Sequence, residues 1–193
     1  MALAKSSSSR NPEAGFSLLE VLIALGILTT ALVALAQLFA MSTRTNYAAR
    51  STTFATVFAE QKLEQLRGLT WGFDSLGLPV SDTQTDTAVS PPAATGGTGL
   101  APSPGPTLGG NTAGYVDYLD EYGNSLGGGA TMPGNAVWIR RWSIEPLPTN
   151  PNDTLVLQVL VTRNRNRGAA NEGAVARLGE EARLMTVKTR KAK

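Results

Sequence analysis

The sequence predicts an α+β fold, with one long N-terminal helix packed on a small antiparallel sheet and the first half of that helix spanning a membrane. Three observations carry this. From Val21 to Thr43 there is no Asp, Glu, Lys or Arg. Beyond that run, Ala48, Ala55, Phe58, Ala59, Leu63 and Leu66 recur at helical spacing. Toward the C-terminus, runs rich in β-branched and aromatic residues read as strands.

As a helix rising about 1.5 Å per residue, the 23 uncharged residues extend roughly 34 Å. A bilayer core is about 30 Å thick, so the run is long enough to cross it. Gly26 is tolerable in such a helix, and Gln37 is its one strongly polar residue. No proline interrupts it, so no proline kink is predicted. The helix is expected from Phe16 to about Arg67, with residues 16–41 in the membrane, 42–67 beyond it and Gly68 as the stop. Arg44, Asn46 and Arg50 mark the exit into water. Glu60, Lys62, Glu64 and Arg67 are placed mostly off the apolar stripe.

Residues 1–15 are polar and carry Lys5, Arg10 and the serine run Ser6–Ser9, which reads as a spacer. Pro12 and Gly15 argue against helix there. Cations on the N-terminal side place that end in the cytoplasm and the rest outward, toward the periplasm. In a secretory signal the cut follows the apolar region. Here a glycine precedes it, in Gly15-Phe16-Ser17-Leu18-Leu19-Glu20.

That segment, continued by Val21-Leu22-Ile23-Ala24-Leu25, resembles the cleavage and methylation segment of type IV prepilins and type II secretion pseudopilins. The resemblance covers about residues 5–41 and implies a pilin-like fold. It implies cleavage after Gly15 by the prepilin peptidase, N-methylation of Phe16, and a role for Glu20 in assembly. In that family the acid at this position pairs with the methylated N-terminal amine of a neighbouring subunit. Ala59-Glu-Gln-Lys-Leu-Glu-Gln-Leu-Arg67 resembles the end of the long helix in PilV-like and GspI-like minor pilins. Major pilins usually carry a proline in the first half of this helix, and its lack here is common among minor pilins and pseudopilins.

Residues 68–135 are of a different kind. They hold 15 of the 20 glycines and 7 of the 11 prolines, six acids and no Lys or Arg, which marks them as an insert. Within it, 91–110 is expected to be irregular or mobile. Tyr115 to Asn124 reads as a short strand, 115–120, followed by a turn. The sheet proper is expected over 136–193. Its first strand is 136–145, with Trp138, Arg140, Trp142 and Ile144 on one face and Val137, Ile139, Arg141 and Ser143 on the other. The second is 154–163, with Leu155, Leu157, Val159 and Val161 facing the helix. A polar excursion, 164–181, leads to a third at 182–188, with Leu184 and Met185 as apolar members.

The chain has no Cys and no His, which excludes disulfides, thiolate or imidazole metal sites and Ser-His-Asp triads within it. Net charge is +2, so nothing in the overall balance calls for nucleic acid. Asp117, Asp120, Glu121 and Asn124 offer oxygens of the kind Ca²⁺ takes, but their spacing is not that of an EF-hand loop, and a solvated turn is expected. The nine Lys and Arg against three acids over 163–193 read as a solvated face and tail, with the acidic 68–135 region as a partner. Trp138 and Trp142 read as core.

The function expected is a minor type IV pilin, structural rather than enzymatic and without cofactor or metal. Its expected partners are other pilin subunits, the prepilin peptidase, the membrane and an inner-membrane assembly platform, with no nucleic acid. A type II secretion pseudopilin is the second reading. A membrane-anchored enzyme or receptor, or an adhesin displaying the 68–135 insert, comes after it.

Overall fold

The computed structural model describes residues 16–85, 97–164 and 181–190. The leader with Gly15, the Ser6–Ser9 spacer, part of the Gly/Pro-rich stretch and nearly all of the polar excursion lie outside the described residues. Among the described residues the element order is one α-helix, two strands, a short 3-10 helix at Thr107–Gly109 and five further strands. Helix α1 is Leu18–Gly68. The chain divides into two compact units between Thr45 and Asn46, within α1.

In the first unit α1 is apolar on every side. Leu22, Ile23, Ile27, Leu28, Leu32, Val33, Leu38 and Phe39 are all exposed. Its threonine hydroxyls are turned onto the backbone: Thr29 and Thr30 donate to the carbonyl of Gly26, and Thr43 donates to that of Phe39. Such back-bonding leaves few polar atoms facing outward, as a low-dielectric surround demands.

In the second unit α1 is amphipathic. Ser51, Ala55, Phe58, Ala59, Lys62, Leu63 and Leu66 are buried along one stripe. They pack on a five-stranded antiparallel sheet of order β4-β3-β5-β6-β7. Its strands are β3 (Val116–Leu119), β4 (Ser125–Gly128), β5 (Trp138–Pro146), β6 (Thr154–Arg163) and β7 (Glu181–Thr189). Trp142, Ile144, Leu157, Val159 and Val161 fill the space against the helix. The sheet's outer face carries a smaller cluster of Val116, Tyr118 and Ala136, where the Tyr118 hydroxyl donates to the Gly129 carbonyl at 2.8 Å.

Several expectations are corrected here. Lys62 lies on the buried stripe rather than off it, because positions 58, 59, 62, 63 and 66 are neighbours on one helix face. Val137 joins the helix-facing cluster instead of the opposite face, since it precedes β5 and does not follow its alternation. On β7 the apolar members divide by alternation, with Ala182 and Leu184 packed inward and Met185 pointing outward. Two strands were not expected over 68–81. These are β1 (Trp71–Phe73) and β2 (Pro79–Ser81), an antiparallel hairpin forming its own sheet. Strand β4 was also not expected. The stretch from Gly97 to Gly110 is irregular yet packed: Leu100 and Thr107 are buried, Ser103 N–H donates to the Ile144 carbonyl, and the Thr107 hydroxyl donates to that of Trp142.

Candidate functional site

The N-terminal turn is simple in geometry. Phe16 and Ser17 precede α1, and the Ser17 carbonyl accepts from the N–H groups of Glu20 and Val21 at 3.0 and 3.2 Å. Glu20 thereby lies in the first helical turn, where the unpaired N–H groups and the helix dipole favour an anion. Phe16 is 84% exposed, and Glu20 is exposed as well. Among the described residues no cation pairs with Glu20. From this turn onward the helix is long and apolar enough to cross a membrane. An acid at the end of such a span therefore stands at the edge of an apolar surround with its counter-charge still to be supplied.

A family model described as the prokaryotic N-terminal methylation motif matches residues 10–36. The chain carries a prepilin-type methylation motif at its N-terminus. No curated protein and no solved structure matches it. The matched span contains Gly15, Phe16 and Glu20, although Gly15 lies outside the described residues. The motif implies processing by a prepilin peptidase and assembly with other pilins. The apolar half of α1 is long and apolar enough for an anchor, which is consistent with the motif, and one long helix with antiparallel sheets gives a pilin-like α+β architecture.

The second unit holds a feature that sequence reasoning missed. Asp117 of β3 stands opposite Arg140 of β5 and accepts from its Nε and Nη2 at 2.8 Å each. Lys62 of α1 donates to the same carboxylate at 3.1 Å. All three side chains are buried, and Lys62 Nζ also lies 3.8 Å from the centre of the Trp142 ring. Arg140 Nη1 donates to the Phe58 carbonyl at 3.2 Å, so one guanidinium ties the helix to two strands. Burial alone pushes the Asp117 carboxyl up, but the Arg140 hydrogen bonds and the Lys62 charge outweigh it and hold the group below its ordinary 3.8. Arg140 was placed on its face by alternation, and Asp117 within the short strand 115–120. What would have joined Lys62 to them is helical spacing, had the charge not argued it outward.

Asp117 is thus committed to ion pairs rather than to the turn beyond it. Asp120 closes that turn by itself, accepting from the Tyr122 and Asn124 N–H groups at 2.8 Å and from the Asn124 side-chain amide. Trp138 and Trp142 are both buried in the helix-facing core. Basic residue Arg190 does meet the 68–135 region, but not through its acids. Its guanidinium stacks 3.7 Å over Trp71, donates to the Gly72 carbonyl at 2.9 Å and pairs with Asp153 at 3.5 Å. The β1-β2 hairpin is clasped from the far end of the chain.

Proposed function

We propose that this chain is a minor type IV pilin. On this reading it is a structural subunit, not an enzyme. The prepilin peptidase cleaves it after Gly15 and methylates Phe16, and the chain waits in the inner membrane with its C-terminal domain in the periplasm. An assembly platform in that membrane then moves it into a fibre with other pilin subunits. The observation that carries this is the methylation motif standing directly at the start of a helix that is apolar all round. Such a helix needs a cover of lipid before assembly or of neighbouring helices afterwards, and both environments suit the same side chains. Glu20 supplies the counter-charge for a neighbour's methylated amine. The helix free of proline and the Gly/Pro-rich 68–135 insert favour a minor subunit over a major one.

The same segment, with the helix end at 59–67, also fits a type II secretion pseudopilin. Deleting the gene separates the two: loss of pili with secretion intact supports the pilus, and the reverse supports secretion. Glu20→Val tests the assembly role. Cleavage should proceed while incorporation into fibres falls, and normal incorporation would remove Glu20 from that role. A bulky residue in place of Gly15 should block maturation.

A further inference from the structure

Rings and guanidinium groups form a continuous series in the second unit. Arg163, at the end of β6, lies 4.9 Å over Tyr47 and 5.7 Å over Trp138. Trp138 meets Phe58 edge-on at 5.6 Å, Phe58 stacks with Phe54 at 6.1 Å, and Arg50 lies 5.4 Å over Phe54. Tyr47, Arg50 and Phe54 share a helix face at spacings of three and four, and all three are exposed. The series therefore ends in two arginines whose side chains are held by aromatic faces rather than by acids. Among the described residues neither Arg50 nor Arg163 has a carboxylate partner. The sequence itself has no Asp or Glu between Glu20 and Glu60.

We propose that Tyr47, Arg50 and Arg163 form a collar that binds anionic phospholipid headgroups at the membrane surface where α1 emerges. Tyr47 and Arg50 come four and seven residues after Thr43, the end of the uncharged run. Along a helix that is about 6 and 10 Å, the depth at which headgroups replace hydrocarbon. Tyrosine is enriched at that level. A guanidinium stacked on a ring keeps its N–H fork for phosphate oxygens. Cations on this flank also run against the positive-inside tendency, which makes a local anion the natural compensation. The inference rests on the anchor reading of α1.

The test uses the full chain in phosphatidylcholine vesicles doped with phosphatidylglycerol, with trace spin-labelled forms of each lipid. At low salt the chain should hold more immobilised phosphatidylglycerol than phosphatidylcholine. Arg50→Gln and Arg163→Gln should each reduce that preference, by at most roughly fivefold per arginine, and salt should weaken it. Arg163→Lys should retain part of it, and Arg67→Gln, at the far end of α1, should leave it intact. Equal immobilisation of the two lipids, or a preference indifferent to Arg50→Gln and Arg163→Gln, overturns the collar while leaving the anchor standing. So does cross-linking of position 50 to a carboxylate of another subunit without lipid preference. Extraction of the chain from vesicles by alkaline carbonate overturns the anchor reading, and the collar with it.

Discussion

The two halves of α1 share one backbone conformation and differ in almost everything else. From Leu18 to Thr45 the helix exposes its large apolar side chains in every direction, and its threonines hide their hydroxyls against the backbone. From Asn46 to Gly68 it buries one stripe, and that stripe includes a lysine. The difference shows two ways of making a helix tolerable. The first half leaves its apolar surface to be covered from outside the chain, so its sequence needs hydrophobicity but no period. The second half is covered by its own sheet, so each position is specified by what it faces, even to the extent of burying Lys62 against Asp117.

The largest break in this contrast should come from Asp117→Ala. It leaves Lys62 and Arg140 buried together without a counter-charge, and losing one member of a buried ion pair costs about 3–5 kcal/mol. Chemical unfolding of the full chain in detergent, followed by tryptophan fluorescence, reads it. Leu157→Ala, opposite Ile144 in the helix-facing core, should cost about 2–5 kcal/mol by the same assay. Gly123→Ala should cost less, about 1–3 kcal/mol. Gly123 has φ +87°, and an added Cβ would come within 2.5 Å of the Phe58 ring. At the small end, Leu28→Ala in the first half should change the unfolding of the second unit by less than about 0.5 kcal/mol. An effect as large as that of Leu157→Ala would mean that the halves are not covered in different ways.

Acid sharpens the same comparison. Asp117 is held below its ordinary 3.8, so its contribution to stability is fully present above that value and lost as the pH falls through the folded one. Stability should therefore drop below about pH 4, and Asp117→Asn should remove much of that dependence. A wild-type chain whose stability is flat through this range would show that the buried pairings do not hold the sheet to the helix.

What was legible in the sequence follows from the same division. The apolar half is legible because hydrophobicity alone specifies it. The Phe58, Ala59, Leu63 and Leu66 stripe and the alternation of β6 are legible because their periods are local. Strand β1 has only three residues and β2 opens on Pro79, so neither offers a pattern long enough to read. Strand β4, Ser125–Gly128, contains two glycines and is a strand because β3 pairs with it, not because of its own propensity. Lys62 was misplaced because its partner lies 55 residues away, and a lone lysine in a helix is ordinarily solvated. The Arg190 clasp on the β1-β2 hairpin joins residues 118 positions apart and has no local signature at all. At the N-terminal turn the reverse holds. Phe16 and Glu20 were legible because their significance lies in a short contiguous motif.

The proposed function requires that this N-terminus be processed and then serve as an assembly element. Mass spectrometry of the mature chain tests it most directly. A chain beginning at N-methylated Phe16 is expected. An intact Met1, or a cut at any other bond, would contradict it.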